Sequence, residues 1–217
     1  VASAKKKCQA KAHDLATAMT SEMERAGVSL RVSEAECMVS NVEEAVVNLA
    51  RYHDLTLVCL IQADSAPKAT AQAAIFDSGR PVLVIPEDVA PKAPEHVMIA
   101  WDGSRAAARA VADSTALLER ARKVSIVSVT DEKELPGEDI LALLASSLER
   151  HKIQSTSARI KREGRSISQA LQDHAKSAGA DLLVMGGFAH SRLRDFVLGG
   201  ATSGVLHDLR MPVLLSH

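Results

Sequence analysis

SISQALQDHAKSAGADLLVMGG, residues 166–187, reads as a helix that runs directly into a strand. Ser166 stands where a cap accepts the first free helix N–H groups, and Gln169 three residues on completes a capping box. Ile167, Ala170, Leu171 and Ala175 recur at helical spacing and form one apolar face. Gly179 ends the helix, because a glycine takes the left-handed conformation of a helix terminus without steric cost. Asp181, Leu182, Leu183, Val184 and Met185 then form the strand.

The same order occurs earlier in the chain. Asn41 caps a predicted helix with Glu44 three residues on, Val42, Ala45, Val46 and Leu49 make its apolar face, and residues 54–60 are the strand that follows. Each copy closes with a short helix and a proline-led strand, Pro81, Val82, Leu83, Val84 and Ile85 in one and Pro212, Val213, Leu214 and Leu215 in the other. Proline suits a strand's first residue. Upstream, residues 28–37 and 153–161 are corresponding strand candidates, so the period is about 125–130 residues, the signature of duplicated domains rather than a solenoid. The linker, residues 86–94, carries Pro86, Pro91 and Pro94 among charges. It divides the chain into domains 1–90 and 95–217.

Only the second domain has every element. It opens with a strand at 97–101, turns at Asp102 and Gly103, and continues into a helix from Ser104 with Ala107, Ala110, Val111, Leu117 and Leu118 inward. A strand at 124–129, a loop around Pro136 and Gly137, and a helix at 139–150 follow. Strands alternating with helices predict the α/β class, a doubly wound, Rossmann-like parallel sheet with helices on both faces. The first copy starts at a helix, 6–26, that Gly27 ends, and has no counterpart of the opening strand, helix and second strand. A doubly wound sheet places its first strand centrally, so that loss leaves edges unpaired. The expectation is that the natural protein is longer, or that a partner molecule completes the first sheet.

Composition removes several function classes. Lys and Arg number 26 against 27 Asp and Glu, which gives no net pull toward phosphate backbones or anionic lipid. Aromatics are 2% of residues, too few for the stacking platforms of single-stranded nucleic-acid binders. No apolar run approaches bilayer length and no signal-peptide core follows the early lysines, so the expected protein is cytoplasmic, with neither nucleic acid nor membrane as partner. Cys8, Cys37 and Cys59 show no ligand spacing, so neither a disulfide framework nor a metal site is expected. Cys59, inside an apolar run, is expected to be a buried thiol.

The stretch from Met185 to Thr202 is where chemistry is expected. It follows a strand, precedes a helix, and contains Gly186, Gly187, Gly199 and Gly200. Glycines there let backbone N–H groups approach an anion at a helix start. In length and order this region resembles the universal stress protein family, whose nucleotide-binding members carry Gly, two residues, Gly, nine residues, then Gly and Ser or Thr after the fourth strand. Gly186 and Gly199 match that pattern. Ala189 stands at the second glycine and Gly200 at the hydroxyl position, with Ala201 and Thr202 continuing into the helix. The family's nucleoside-contacting aspartate falls on Asp102, its backbone contact from the second strand falls on Val129, and Trp101 either stacks on a base or fills its pocket.

The resemblance implies strand order 3-2-1-4-5, pairing of the last strands (81–85 with 212–215) between copies or subunits, ATP or AMP as ligand, and stress resistance without catalysis. His190, Ser191, Arg192 and Arg194 either close over phosphates or are a solvated loop. Two other classes stay open: a nucleotide-hydrolysing or adenylating enzyme of the same superfold, and a structural dimerisation module whose loop binds nothing. Against the enzyme, there is no Walker sequence and no nucleophile elbow. His207 and Asp208 have no nucleophile partner, and His174 reads as a packed core-edge histidine.

Overall fold

The computed structural model describes residues 2–61, 64–90, 92–131, 139–187 and 200–217. Contacts divide the chain into two compact units, residues 1–41 and 42–217. The first unit contains helix α1 (Ala2–Arg25), stopped at Gly27 with φ +67° as expected, and a short 3-10 turn at Val39–Asn41. Residues 28–37 do not form the expected strand. The corresponding segment of the second copy is extended because it bonds to a neighbouring strand, and the first copy has no counterpart of that neighbour among the described residues. Without a ladder, the backbone groups have no reason to extend.

The second unit begins with α2 (Val42–Ala50), β1 (Thr56–Leu60), α3 (Ser65–Asp77) and β2 (Val82–Pro86). It continues with β3 (His96–Ala100), α4 (Arg105–Asp113), α5 (Thr115–Leu118), β4 (Lys123–Val129), α6 (Ile140–Arg150), β5 (Ser155–Ile160), α7 (Ile167–Ala178), β6 (Leu182–Gly186), α8 (Ala201–His207) and β7 (Val213–Ser216). The expected α/β class holds. All seven strands lie in one sheet, ordered β1-β2-β7-β6-β3-β4-β5. Every pairing is parallel except β2 with β7, which is antiparallel with Val82 opposite Leu215 and Val84 opposite Val213. The last strands of the two copies thus pair within one chain, and each copy's other strands extend outward from that junction.

The signals at α4, α6 and α7 lie where the sequence places them, whereas the expected Asn41 cap does not form: Asn41 ends a 3-10 turn and its Oδ1 accepts the Ser40 hydroxyl. Ser166 accepts from Gln169 N and the Gln169 carboxamide accepts from Ser166 N, the full capping box, and Gly179 closes α7 at φ +73°. Ser104 caps α4 and Asp139 caps α6. The central strands are buried on both faces, as parallel sheets covered by helices require: Met98, Leu183 and Leu215 enter one cluster with Ile75, Val82 and Val84, and Val97, Ile99, Val184 and Leu214 enter the other with Ile126 and Leu144. Two expectations are corrected. In α2 the buried residues are Val47 and Ala50, while Leu49 is exposed, because the helix turns toward α3 rather than into a complete domain. Cys59 is exposed, since β1 is an edge strand.

Asp181 fastens the central strand. Its carboxylate accepts the backbone N–H groups of Glu95 (3.1 Å) and His96 (3.0 Å) and pairs with Lys92 Nζ at 2.9 Å. Burial pushes this carboxyl up, but the Lys92 ammonium and the two amides outweigh it and leave the group below the usual carboxylate range. Its stabilisation is therefore present above the ordinary carboxylate value of 3.8 and is lost as pH falls through the lower folded value. Asp181→Ala is expected to lower stability by about 1 kcal/mol or more, the cost of leaving the part-buried His96 amide without its acceptor, and to flatten the acid limb of stability against pH. Urea melts at neutral and acid pH measure both.

Candidate functional site

From β3 the chain moves outward through β4 to β5, then returns to lay β6 on the other side of β3. The carboxyl edge between β3 and β6 is therefore a topological switch point, where an open parallel sheet leaves a crevice. The ladders bring three strand ends to one level. Ala100, the last residue of β3, is opposite both Val127 and Met185, and Asp102 follows two residues beyond that strand end.

Asp102 is half-buried, and its Oδ1 accepts the Ser104 N–H at 2.9 Å. Gly103, at φ +73°, makes the turn between them. Ser104 Oγ then accepts Ala107 N–H, so Ser104 is the helix cap and Asp102 braces the turn before it. Trp101 is bonded to the start of α6. Its indole N–H donates to the Ile140 carbonyl at 3.1 Å, and its ring packs with the cluster containing Val97 and Ile99, tying β3 to the first turn of α6.

Val129 ends β4. The Trp101 N–H bonds the Val127 carbonyl at 2.8 Å, and strand alternation turns the Val129 backbone to the same side, toward the end of β3. Beyond it, Asp131 accepts the Arg162 N–H and is held below its ordinary range, chiefly by that amide. This closes the β4 and β5 ends together.

The glycines divide by role. A Cβ on Gly186 would lie 2.5 Å from Ala107 N and 2.7 Å from the Ala106 carbonyl carbon. Gly186 thus lets the α4 backbone rest directly on β6, a packing requirement that needs no ligand. Gly187 donates to the Ser216 carbonyl at 2.7 Å, and a Cβ there would meet Ile75 of α3 at 2.8 Å. Gly200 caps α8 with φ −77°, is exposed, and has open space where a Cβ would go. Ala201 opens α8, and buried Thr202 reaches the Gly186 carbonyl at 3.5 Å. Ala189 and Gly199 lie outside the described residues, as do His190, Ser191, Arg192 and Arg194.

Of the sequence-predicted residues, Thr202 reaches Gly186, while Val129 ends β4 and Asp102 follows the end of β3 at the same edge of the sheet. Two contributors were missed. Ser128 donates its hydroxyl to the Trp101 carbonyl, bracing the ends of β3 and β4; a buried serine in a strand carries no distinguishing sequence signal. Ile75 walls Gly187 from the first copy, which only the β2–β7 pairing makes possible. Among the described residues no group of three or more His, Cys, Asp or Glu could hold a metal ion, and no helix is long and apolar enough to cross a membrane.

The profile described as "Universal stress protein family" matches residues 94–217. No curated protein matches the chain. Among solved structures, a universal stress protein from Archaeoglobus fulgidus DSM 4304 superposes with a TM-score of 0.75 at 16% identity, over 96% of this chain and 76% of that one. A protein of unknown function from Pseudomonas aeruginosa PAO1 gives 0.56 at 13% identity, over 94% and 77%. At these identities the likeness is one of fold.

The packing role of Gly186 predicts a contrast between two glycines. Gly186→Ala is expected to cost about 1–3 kcal/mol, since helix backbone must move, whereas Gly200→Ala should stay within about 0.5 kcal/mol. Thermal denaturation of the two variants compares them directly.

Proposed function

The chain belongs to the universal stress protein family, and from that premise we propose that residues 94–217 bind an adenine nucleotide, ATP or AMP, without turning it over, as part of a cytoplasmic stress-response protein. The observation that carries this reading is the meeting of the β3, β4 and β6 ends at one level of the sheet's carboxyl edge. In this reading the Asp102 carboxylate holds the nucleoside and the Val129 backbone meets the base. The backbone N–H groups of Gly199, Gly200, Ala201 and Thr202 take the phosphates, as donors at a loop-to-helix junction do. Gly186 contributes by seating α4, and Ala189 stands within the phosphate loop.

A second reading is favoured by the same glycine. Because packing of α4 already accounts for Gly186, the edge also suits a structural pairing module that binds no nucleotide, joined through β2 and β7.

Calorimetry and thermal shift with ATP and with AMP, each with and without magnesium, distinguish these. Saturable binding without a metal requirement is expected, weakened about tenfold or more by Asp102→Ala, the value of one hydrogen bond to a charged group at ~1.5 kcal/mol. No heat and no shift at millimolar nucleotide would leave the structural reading. Steady phosphate release that Asp102→Ala abolishes would make the protein an enzyme.

A further inference from the structure

β5 is the outermost strand on its side of the sheet and is paired only with β4. Its backbone groups alternate. The Thr130 N–H donates to the Ile160 carbonyl at 3.0 Å, so Ile160 turns its N–H and C=O toward β4, as a bonded residue of a parallel ladder does. Thr156 and Ala158 do the same by the period of two, and Ser157 and Arg159 turn their backbone groups outward. Side chains alternate as well. Ala158 and Ile160 pack against the cluster that contains Leu171 and Ala175 of α7, whereas Arg159 reaches Asp139, the cap of α6, at 3.8 Å.

Between the outer side of β5 and α7 lies a groove of about 640 Å³. Asp173, His174 and Ser177 line it from the helix, and Lys161, Glu163 and Arg165 line it from the chain that leaves β5. Its charge is uneven. Arg159, Lys161 and Arg165 stand against two carboxylates, and both carboxylates are engaged. Arg165 holds Glu163 at 3.3 Å and Asp173 at 3.0 Å, and Asp173 receives Arg210 at 2.9 Å as well. Lys161 is exposed and has no hydrogen-bond or ion-pair partner among the described residues. A groove with an open ladder along one wall and an unpaired cation at its end suits an extended chain of opposite charge.

We propose that the outer edge of β5 and the facing side of α7 form a docking surface for an extended acidic segment of a partner protein, which adds to the sheet beside β5. The segment's backbone bonds Ser157 and Arg159, and one of its carboxylates pairs with Lys161. Charged side chains on an edge strand discourage the addition of neutral strands. Arg159 and Lys161 therefore make this edge selective for acid. A second copy of the chain fits less well, because it brings the same cations on the same edge, and like charges facing across a ladder are destabilising. The surface does not depend on nucleotide binding, since β4 separates β5 from the crevice between β3 and β6.

The probe is a fluorescein-labelled octapeptide of alternating threonine and glutamate, with an octapeptide of alternating threonine and lysine as its counterpart. Each is titrated against the 217-residue chain and read by anisotropy. The glutamate peptide is expected to bind saturably and about tenfold tighter than the lysine peptide, since an attraction replaces a repulsion at Lys161. With the glutamate peptide at about ten times its Kd, amide exchange at Ser157 and Arg159 should slow about tenfold, because exchange continues only from the free edge. Ser157→Pro removes an outward N–H and leaves the β4 ladder whole. It should weaken binding about tenfold, with thermal melting to check the fold. Lys161→Glu, at an exposed position, should turn the preference toward the lysine peptide. The proposal is overturned if neither peptide binds at millimolar concentration, if both bind alike, or if Lys161→Glu leaves the preference unchanged. It is equally overturned if a folded Ser157→Pro variant binds as before, or if self-association of the chain alone already protects Ser157 and Arg159.

Discussion

Three residue pairs decide the architecture of the second unit. Val82 with Leu215, Leu83 with Leu214 and Val84 with Val213 join β2 to β7 in antiparallel register, and through them the strands β1 and β2 join the five strands of residues 96–216 in a single sheet. β2 and β7 are thereby internal, and their side chains enter both hydrophobic clusters: Val82, Val84 and Leu215 on one face, Leu83 and Leu214 on the other.

The junction also shapes the carboxyl edge where function is proposed. Ile75 of α3 packs against Gly187, beside the junction where β2 and β7 are bonded. The floor is set by close approach. Gly186 allows helix backbone to meet strand without an intervening side chain, which holds the Asp102 turn against the ends of β3 and β6. Such a position is glycine for steric reasons whether or not an anion is nearby. Trp101 illustrates the same separation of local and global roles, since its indole anchors α6 through the Ile140 carbonyl.

At the opposite, amino-terminal edge, Asp181 holds the start of β3 with two amides and an ammonium.

Much of the fold was legible from local physics. The capping box at Ser166 and Gln169, the left-handed Gly179, the apolar faces of α4 and α7 and the proline-led last strands each depend on residues a few positions apart, and such short-range constraints survive in any context. What the sequence could not decide was whatever depends on distant residues arriving beside one another: that residues 28–37 have no ladder to join, that Leu49 and Cys59 face outward, that Trp101 bonds Ile140, and that Gly186 is claimed by α4. The candidate residues were proposed from the chain, whereas the common level of the β3, β4 and β6 ends was set by the β3 ladders to β4 and β6, because hydrogen-bond register between strands is a property of the assembled sheet and not of any one segment.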